Sequence, residues 1–392
     1  MSPRRYAIAL LALLLLLLAS VGAFNRIVDP FWYFRDVEAR GFNLDKPRFP
    51  RNERLVKSAL VSKLRPDAII LGSSYAEVGF PATHAGFTDG GRLLPYNLGL
   101  SGAKWPEIYC YALFALAQPG IRRVVLPLSG MAEASCAGFQ NLGDADYARF
   151  LFSKNALSAS LDTLRKQDGV PLVTREGMWY MQRYEPKIRN DTDITLNFAN
   201  LMRDSFCRAP HPARALDLRR VDKSAPPADA DTVGVRKIVR LAIEKKIHLI
   251  LMPYPKHVLH YEAERRCQGI EERWSELWKI AAVVEQESRG KDGPVEVWDF
   301  HGYREANAER VHAGKAMRER WWQDNGHFNH EVGATAFDSI FSGGRAYGHR
   351  VDTRNFDGLM EAVERERNDF LARNPWVEPE LYELARLVGA GW

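Results

Sequence analysis

The stretch AIILGSSYAEVGF, residues 68–80, indicates a buried strand that turns sharply into a helix. Its first four residues are apolar, as in a parallel strand that is covered on both faces. Gly72 ends the apolar run, and Ser73 and Ser74 follow at the turn. Small residues fit a strand end for steric reasons alone, so the rest of the chain must decide whether either serine has a chemical role.

Four further apolar runs of strand length alternate with helical stretches along the chain. The five predicted strands are DAIILG (67–72), LLPYNLG (93–99), RRVVLPLSG (122–130), IHLILMPYP (247–255) and PVEVWDF (294–300). Helical patterns such as PEIYCYALFALAQPG and IEERWSELWKIAAVVEQESRG separate some of these strands. This alternation predicts an α/β fold, a three-layer sandwich with a mostly parallel five-stranded sheet.

The predicted α/β domain covers residues 67–343 and contains a segment that lacks this rhythm. We expect that segment, about residues 131–233, to be a helical insertion. Residues 26–66 form a juxtamembrane segment, whose aromatic cluster FWYF (31–34) suits a membrane interface or packing on the domain. Residues 344–392 have an amphipathic helical pattern, which predicts a tail packed on the domain.

The first 25 residues contain an uncharged apolar stretch after Arg4 and Arg5. A helix of about 19 residues is long enough to cross the core of a bilayer. Two interpretations compete, an uncleaved anchor and a signal peptide cleaved near Val21-Gly22-Ala23. The length of the run favours the anchor, and the two arginines keep the N-terminus in the cytoplasm. We therefore expect a single-pass protein of the cytoplasmic (inner) membrane with its domain in the periplasm.

Composition and cysteine spacing argue against several classes of function. Charged residues make up 26% of the chain and the net charge is +5 without a long basic block, which argues against a nucleic-acid partner. The four cysteines have no CxxC spacing, so a thiolate zinc site is not expected, although a pair could form a disulfide in an oxidising compartment. His257, His260 and Glu264 fit a solvated helix start better than a metal site. We expect no metal or cofactor.

Polar residues at the predicted strand ends suggest nucleophilic catalysis. The carboxyl ends of parallel strands meet at one edge of a sheet, where sites form. The loop WWQDNGHFNHEVG (321–333) precedes the last predicted helix and brings Asp324 and His327 toward Ser74 at that edge. A serine hydroxyl needs a base such as histidine, and the base needs a carboxylate to orient it. Ser74, His327 and Asp324 therefore form a coherent nucleophile, base and orienting acid.

The segment NLGLSG (97–102) supplies the second part of a candidate catalytic site. Gly99 and Gly102 follow a predicted strand end, and glycine amides are unhindered donors for an oxyanion. We expect one of these glycine amides, together with the amide of Ser74, to donate to the oxyanion. Ser129, at the end of the third predicted strand, is expected to line the same pocket.

Other polar and aromatic residues near these strand ends receive no catalytic role. Asp299 and His301 follow the fifth predicted strand, where such residues more often fix a loop. His330 lies close to a helix start and lacks an aspartate at the matching offset. Trp321 and Trp322 suit stacking on a sugar ring or packing in the core, and the sequence leaves both open.

The ordered motifs resemble those of the SGNH, or GDSL-like, hydrolase and acyltransferase superfamily. GSS (72–74) matches the first block, with Ser73 where the family usually has aspartate. NLGLSG matches the second block, which implies Gly102 as the oxyanion donor, and DNGH (324–327) matches the last. The third block departs from the family, because SGMAEAS (129–135) stands where Gly-x-Asn-Asp is usual and contains no asparagine.

With its N-terminal anchor, the chain is more similar to the membrane-anchored branch of this superfamily. That branch includes the D-alanyl transfer protein of teichoic-acid modification and the alginate-acetylation proteins. The resemblance implies a serine-dependent O-acyltransferase or esterase that acts on a cell-surface polysaccharide, uses an acyl donor and works beside a membrane-bound O-acyltransferase. The alternative is a catalytically silent glycan-binding or scaffolding component of an envelope polysaccharide machine, which the missing asparagine and the insertion favour.

Overall fold

A computed structural model of the chain describes residues 2–139, 142–143, 147–167, 171, 173–179, 190–211, 216–267, 269–289, 294–343 and 347–392. Parts of the predicted insertion, residues 180–189 among them, lie outside the described residues. The chain divides into two compact units, unit 1 with residues 1–65 and 141–177 and unit 2 with residues 66–140 and 178–392.

Six strands and thirteen α-helices occur in the described residues. The strands are β1 (Ala68–Ile70), β2 (Pro95–Asn97), β3 (Arg123–Leu128), β4 (His248–Pro253), β5 (Val295–Asp299) and β6 (His349–Val351). The helices are α1 (Pro3–Val28), α2 (Glu53–Leu64), α3 (Ser74–Gly79), α4 (Trp105–Ala117), α5 (Tyr147–Phe152), α6 (Lys154–Arg165), α7 (Asp191–Leu201), α8 (Val233–Glu244), α9 (Val258–Cys267), α10 (Ile270–Ser288), α11 (His330–Ser342), α12 (Phe356–Arg373) and α13 (Val377–Leu387).

Unit 1 contains the apolar N-terminal helix α1, which could span a membrane by its length and composition. Only 6% of its most apolar window is buried. Toward the end of the helix, Gly22, Asn25 and Val28 are buried in unit 1. The Asn25 amide donates to the carbonyl oxygen of Leu151 at 2.7 Å, and its oxygen accepts from the Ser160 hydroxyl at 2.7 Å. α1 therefore passes from an exposed apolar part into a packed helical core.

The aromatic cluster after α1 packs inside unit 1. Phe31, Trp32 and Tyr33 are all buried, with exposed fractions of 4% or less. The ring of Tyr33 stacks on Phe150 of α5 with 4.5 Å between centroids. The carboxylate of Asp29 accepts the amide of Tyr33 at 2.8 Å, which holds the backbone of the cluster. These three rings therefore pack inside the protein, which is the second of the two interpretations of this cluster.

Unit 2 is built on a sheet with strand order β2-β1-β3-β4-β5-β6. β1 to β5 pair in parallel, with Ile70 of β1 beside Asn97 on one side and Val125 on the other. The strands β3 and β4 are central, and the side chains of Val125 and Ile250 are fully buried there. The predicted α/β class and mostly parallel sheet are confirmed, and all five predicted strands are present.

The predicted number of strands was wrong, because the sheet has six. Residues His349–Val351 form β6 and pair antiparallel with β5, where Val351 lies opposite Val297. The predicted helical tail therefore begins with a strand before α12 and α13. β6 has only three residues, and one valine among polar side chains is too short a pattern to indicate a strand. It is an edge strand, which needs hydrogen bonds on one side only.

Two helices of unit 2, α3 and α11, begin next to segments at the carboxyl edge of the sheet. The side-chain oxygen of Asn329 accepts the amides of Glu331 and Val332, which begins α11. Gly343, with φ of 67°, ends the same helix in the left-handed conformation. α3 begins at Ser74, four residues after the end of β1. Capping by Asn329 thus fixes where the loop with Asp324 and His327 enters α11.

Two disulfides connect segments of unit 2. Cys110 of α4 is bonded to Cys136, which follows β3. Cys207 is bonded to Cys267 at the end of α9, 60 residues away along the chain. All four cysteines of the sequence are thereby paired.

We expect peptide mapping without reduction to recover these two cysteine pairs. Replacing Cys207 and Cys267 by serine should lower the free energy of unfolding by about 2–4 kcal/mol, because the unfolded chain loses a cross-link that closes a long loop. The Cys110/Cys136 double variant, with a separation of 26 residues, is the matched control and should lose less. A free thiol in the purified, unreduced chain would contradict the pairing.

Candidate active site

The turn after β1 is held tightly on both sides. The amide of Leu71 donates to the carbonyl oxygen of Val125, and the carbonyl oxygen of Gly72 accepts the amide of Leu100 at 3.0 Å. Gly72 has φ of 131°, a conformation that side-chain-bearing residues rarely adopt. Ser74 is the first residue of α3, so its hydroxyl lies at a sharp strand-to-helix turn.

The loop before α11 carries the predicted base, His327, and the predicted orienting acid, Asp324. The carboxylate oxygen Oδ1 of Asp324 accepts the amides of Gly326 at 2.8 Å and His327 at 2.7 Å. The other oxygen, Oδ2, lies 2.6 Å from Nδ1 of His327. On the far side of the imidazole, Nε2 lies 2.8 Å from the hydroxyl oxygen of Ser74. The three residues chosen from the sequence thus form one continuous hydrogen-bonded chain.

Electrostatics favour the ionised form of Asp324 in this chain. The side chain is fully buried, and burial alone would raise the pKa of its carboxyl. The charge and hydrogen bond of His327 and the amide of Gly326 outweigh burial, so the pKa of Asp324 lies below its ordinary value. An ionised Asp324 accepts a hydrogen bond from the N–H at Nδ1 of His327. Nε2 of His327 then carries no proton and can accept a hydrogen bond from the hydroxyl of Ser74.

One further side chain contacts the imidazole, and a second lies against the first. The edge of the Tyr75 ring contacts His327 with 4.4 Å between ring centroids. The ammonium of Lys256 lies 4.2 Å from the centre of the Tyr75 ring. Burial lowers the pKa of Lys256 to about 8, with Asp324 acting in the opposite direction. A side chain at Gly326 would reach within 2.6 Å of Tyr75, so the glycine lets the loop approach these groups.

The predicted oxyanion glycines differ in what their amides do. The amide of Gly99 donates to the side-chain oxygen of Asn97 at 2.9 Å, and a Cβ at Gly99 would lie 2.8 Å from the amide nitrogen of Glu77 in α3. Gly102 is exposed, with φ of 69°, and its amide donates no hydrogen bond within the described part of the chain. Gly102 is therefore the glycine whose donor is available to a ligand.

Ser129 lies beyond β3 and lines a cavity of about 890 Å³ together with Ser73 and Tyr75. Ser74, Gly99 and Gly102 are not among the residues that line this cavity. Apolar side chains such as Trp105 line one part of the cavity, and charged side chains such as Arg273 line another. As the sequence indicated, the end of β3 carries serine and glycine where the resembled family has asparagine.

Sequence reasoning missed Tyr75, Tyr254 and Lys256, which belong to the surroundings of Ser74. The hydroxyl oxygen of Tyr254 accepts the amide of Ser73 at 2.7 Å. Tyr254 and Lys256 directly follow β4, and Tyr75 follows the serine at the turn. The rule that sites form at the carboxyl ends of parallel strands was the signal that could have found the residues after β4.

Asp299 and His301 are buried, and neither belongs to the hydrogen-bonded chain of Ser74. The carboxylate of Asp299 accepts the amide of His301 at 3.1 Å. The imidazole of His301 stacks on the ring of Tyr261 with 3.9 Å between centroids, and Trp274 lies parallel to it on an adjoining side. Burial raises the pKa of Asp299 to about 6 and holds the pKa of His301 well below its ordinary value.

The histidines considered for a metal site contact protein groups. The Nε2 atom of His257 lies 2.8 Å from the carbonyl oxygen of Glu309. The Nε2 atom of His260 lies 2.9 Å from the carboxylate of Glu264. His330 is exposed at the first position of α11.

The two adjacent tryptophans have different surroundings. Trp322 is fully buried, and its indole N–H donates to the carbonyl oxygen of Ala306 at 2.8 Å. Trp321 is partly exposed and donates to the carboxylate of Glu331 at 3.0 Å. Trp322 is therefore a core residue, and only Trp321 presents a ring surface to a ligand.

The buried carboxyl of Asp299 predicts a pH dependence of stability. Its pKa is raised from an ordinary 3.8 to about 6, so the folded state holds the proton more tightly than the unfolded state does. The contribution of Asp299 to the free energy of unfolding should therefore fall by about 2–3 kcal/mol as the pH rises from about 4 to about 6. Asp299→Asn keeps an acceptor for the amide of His301 and removes this loss.

Thermal unfolding of the detergent-solubilised chain between pH 4 and pH 8 measures this effect. The stability of Asp299→Asn relative to the unaltered chain should grow across the window and level off above pH 6–7. Asp231→Asn, at an exposed carboxyl, is the control and should show no such growth. A constant difference across the window would contradict the assignment.

No protein-family model matches the chain, and no curated protein or solved structure matches it.

Proposed function

We propose that the chain is a membrane-anchored, extracytoplasmic serine O-acyltransferase or esterase of the SGNH type that acts on a cell-surface polysaccharide. The observation that carries this proposal is the hydrogen-bonded chain from Ser74 through His327 to Asp324, with distances of 2.8 Å and 2.6 Å. These distances lie within the range that general-base catalysis requires.

The fold supports the proposal because it gives each group a fixed place. Ser74 and the loop with Asp324 and His327 lie at the carboxyl edge of a mostly parallel sheet, where sites of α/β proteins occur. The sequence order of turn, glycine segment and Asp-x-x-His loop is that of the SGNH superfamily. The sixth strand, β6, pairs with β5 at the edge of the sheet, away from β1 and its turn.

The proposed reaction passes through an acyl-enzyme. The hydroxyl oxygen of Ser74 attacks the acyl carbonyl carbon, and Nε2 of His327 takes the hydroxyl proton. The carbon–oxygen bond of the donor ester then breaks, and His327 returns the proton to the leaving alcohol. A sugar hydroxyl or water attacks the acyl-enzyme in the second half, with His327 again as the base. The acceptor therefore determines whether the reaction is transfer or hydrolysis.

The location follows from two further observations. α1 is long and apolar enough to cross a membrane, and Arg4 and Arg5 precede its leucine-rich part. Both disulfides of unit 2 favour an oxidising compartment such as the periplasm. Both observations support an extracytoplasmic catalytic unit. The surface glycan and the membrane-bound O-acyltransferase partner are proposed from the resemblance to the membrane-anchored SGNH proteins alone.

Labelling with a fluorophosphonate probe tests the nucleophile. The detergent-solubilised full chain should form one covalent adduct at Ser74, because the probe reacts with activated serine hydroxyls. Ser74→Ala and His327→Ala should abolish labelling. Ser73→Ala is the matched control and should still be labelled at Ser74, because the side chain of Ser73 caps no helix and lies outside the hydrogen-bonded chain. An unlabelled Ser74 in the unaltered chain would contradict catalysis and favour the silent glycan-binding alternative.

Asp324→Asn tests the orienting carboxylate. Asparagine keeps the oxygen that accepts the backbone amides, but its NH2 group faces Nδ1 and imposes the wrong tautomer on His327. We expect kcat for p-nitrophenyl acetate to fall by about 10³–10⁴. Asp338→Asn, at an exposed carboxylate of α11, is the control and should retain kcat. A fall of less than tenfold in Asp324→Asn would show that His327 does not depend on this carboxylate.

A further inference from the structure

An acyl-transfer site must stabilise the oxyanion of its tetrahedral intermediate, and one expected donor is missing here. The amides of Ser74 and Gly102 can supply two hydrogen bonds. The end of β3 carries Ser129 and Gly130 in place of an asparagine side chain. Removal of one donor from such a site usually costs about 10²–10³ in kcat, so an active enzyme needs a replacement.

Tyr254 lies where a replacement could act. Pro253, the last residue of β4, is the register partner of Leu128 in β3, so Tyr254 follows at the level of Ser129. The hydroxyl oxygen of Tyr254 accepts the amide of Ser73 at 2.7 Å, one residue before the nucleophile. Tyr254 also lines the same cavity of about 890 Å³ as Ser73 and Ser129.

Gly72 is what admits the hydroxyl to the turn. A Cβ at Gly72 would lie 2.5 Å from the hydroxyl oxygen of Tyr254 and 2.8 Å from the Cβ of Ala76. Glycine is therefore needed at this position for two reasons. It adopts the positive φ of the turn, and its lack of a side chain lets the phenol of Tyr254 approach closely.

The hydroxyl of Tyr254 can still donate a hydrogen bond. Its oxygen accepts from Ser73, and no acceptor for its own O–H occurs within the described residues. Burial raises the pKa of Tyr254 to about 12, so the group remains a protonated donor at neutral pH. Ser129, by comparison, is exposed at the end of β3.

We propose that the hydroxyl of Tyr254 donates the third hydrogen bond to the oxyanion, in place of the family asparagine. This proposal rests on the proposed acyl-transfer function. As the bond between the Ser74 oxygen and the carbonyl carbon forms, an electron pair moves onto the carbonyl oxygen and His327 takes the serine proton. Tyr254 keeps its proton and shares it with the oxyanion until the bond to the leaving alcohol breaks.

Tyr254→Phe removes the hydroxyl and keeps the ring. With p-nitrophenyl acetate we expect kcat to fall about 10²–10³ while KM changes less than threefold, because the bond forms in the transition state. Tyr109→Phe is the control, since its hydroxyl bonds Glu133 and its ring lies outside the cavity lining. A larger fall in Ser129→Ala than in Tyr254→Phe would assign the donor to Ser129 and overturn the proposal.

A thionoester substrate separates donation from positioning of the turn. Sulfur is a weak hydrogen-bond acceptor, so the preference for the oxygen ester over the thionoester should drop about 10-fold or more in Tyr254→Phe. A fall in kcat with an unchanged preference would overturn the proposal, because it would show that the hydroxyl only holds the Ser73 amide.

Two controls keep the result decisive. If Tyr254→Phe does not fold, 3-fluorotyrosine at position 254 keeps the shape with a more acidic donor, and an unchanged preference for the oxygen ester would then overturn the proposal. Turnover by the unaltered chain that Ser74→Ala does not reduce would overturn the acyl-transfer function itself. Ser74-dependent turnover that is undiminished in Tyr254→Phe would overturn only the role of Tyr254.

Discussion

Parallel pairing of β1 with β3, and of β3 with β4, is the constraint on which the candidate site depends. The register places Ile70 beside Val125, and Leu128 beside Pro253. In a parallel sheet every strand must end on the same side, so three segments that are distant in sequence finish at one edge. The turn with Ser74 therefore meets residues after β4 without any local sequence signal linking them.

A second constraint is electrostatic, and the short loop before α11 satisfies it. A fully buried carboxylate such as Asp324 is costly unless hydrogen-bond donors surround it. The loop provides those donors from its own backbone at Gly326 and His327, so the group that fixes the loop conformation is also the group that orients the imidazole. Folding of the loop and assembly of the proposed base are consequently the same event.

The strands and the pairing of Asp324 with His327 were predictable because their signals are local. The contact of Ser74 with His327 spans 253 residues, and its prediction came from the rule that parallel strands end at one edge and from the order of the motifs. Apolar runs of strand length mark buried strands, and an Asp-x-x-His spacing brings its two side chains together within one turn. The rule for parallel strands places Tyr254 at the same edge as Ser73, but their particular contact was not predictable, because it depends on the order of the strands in the sheet. The short strand β6 gave too little pattern, and the packing of the aromatic cluster after α1 depends on α5, more than a hundred residues later.

The burial of Asn25 at the end of α1 bears on how the protein sits in its surroundings. The same uninterrupted helix carries the exposed leucines and the polar contact to Ser160, with no glycine- or proline-rich linker between them. If the exposed leucines lie in a membrane, unit 1 is therefore connected to that membrane by a continuous helix and not by a flexible linker. The orientation of unit 1 about the membrane normal and its height above the lipid headgroups then both depend on this one helix.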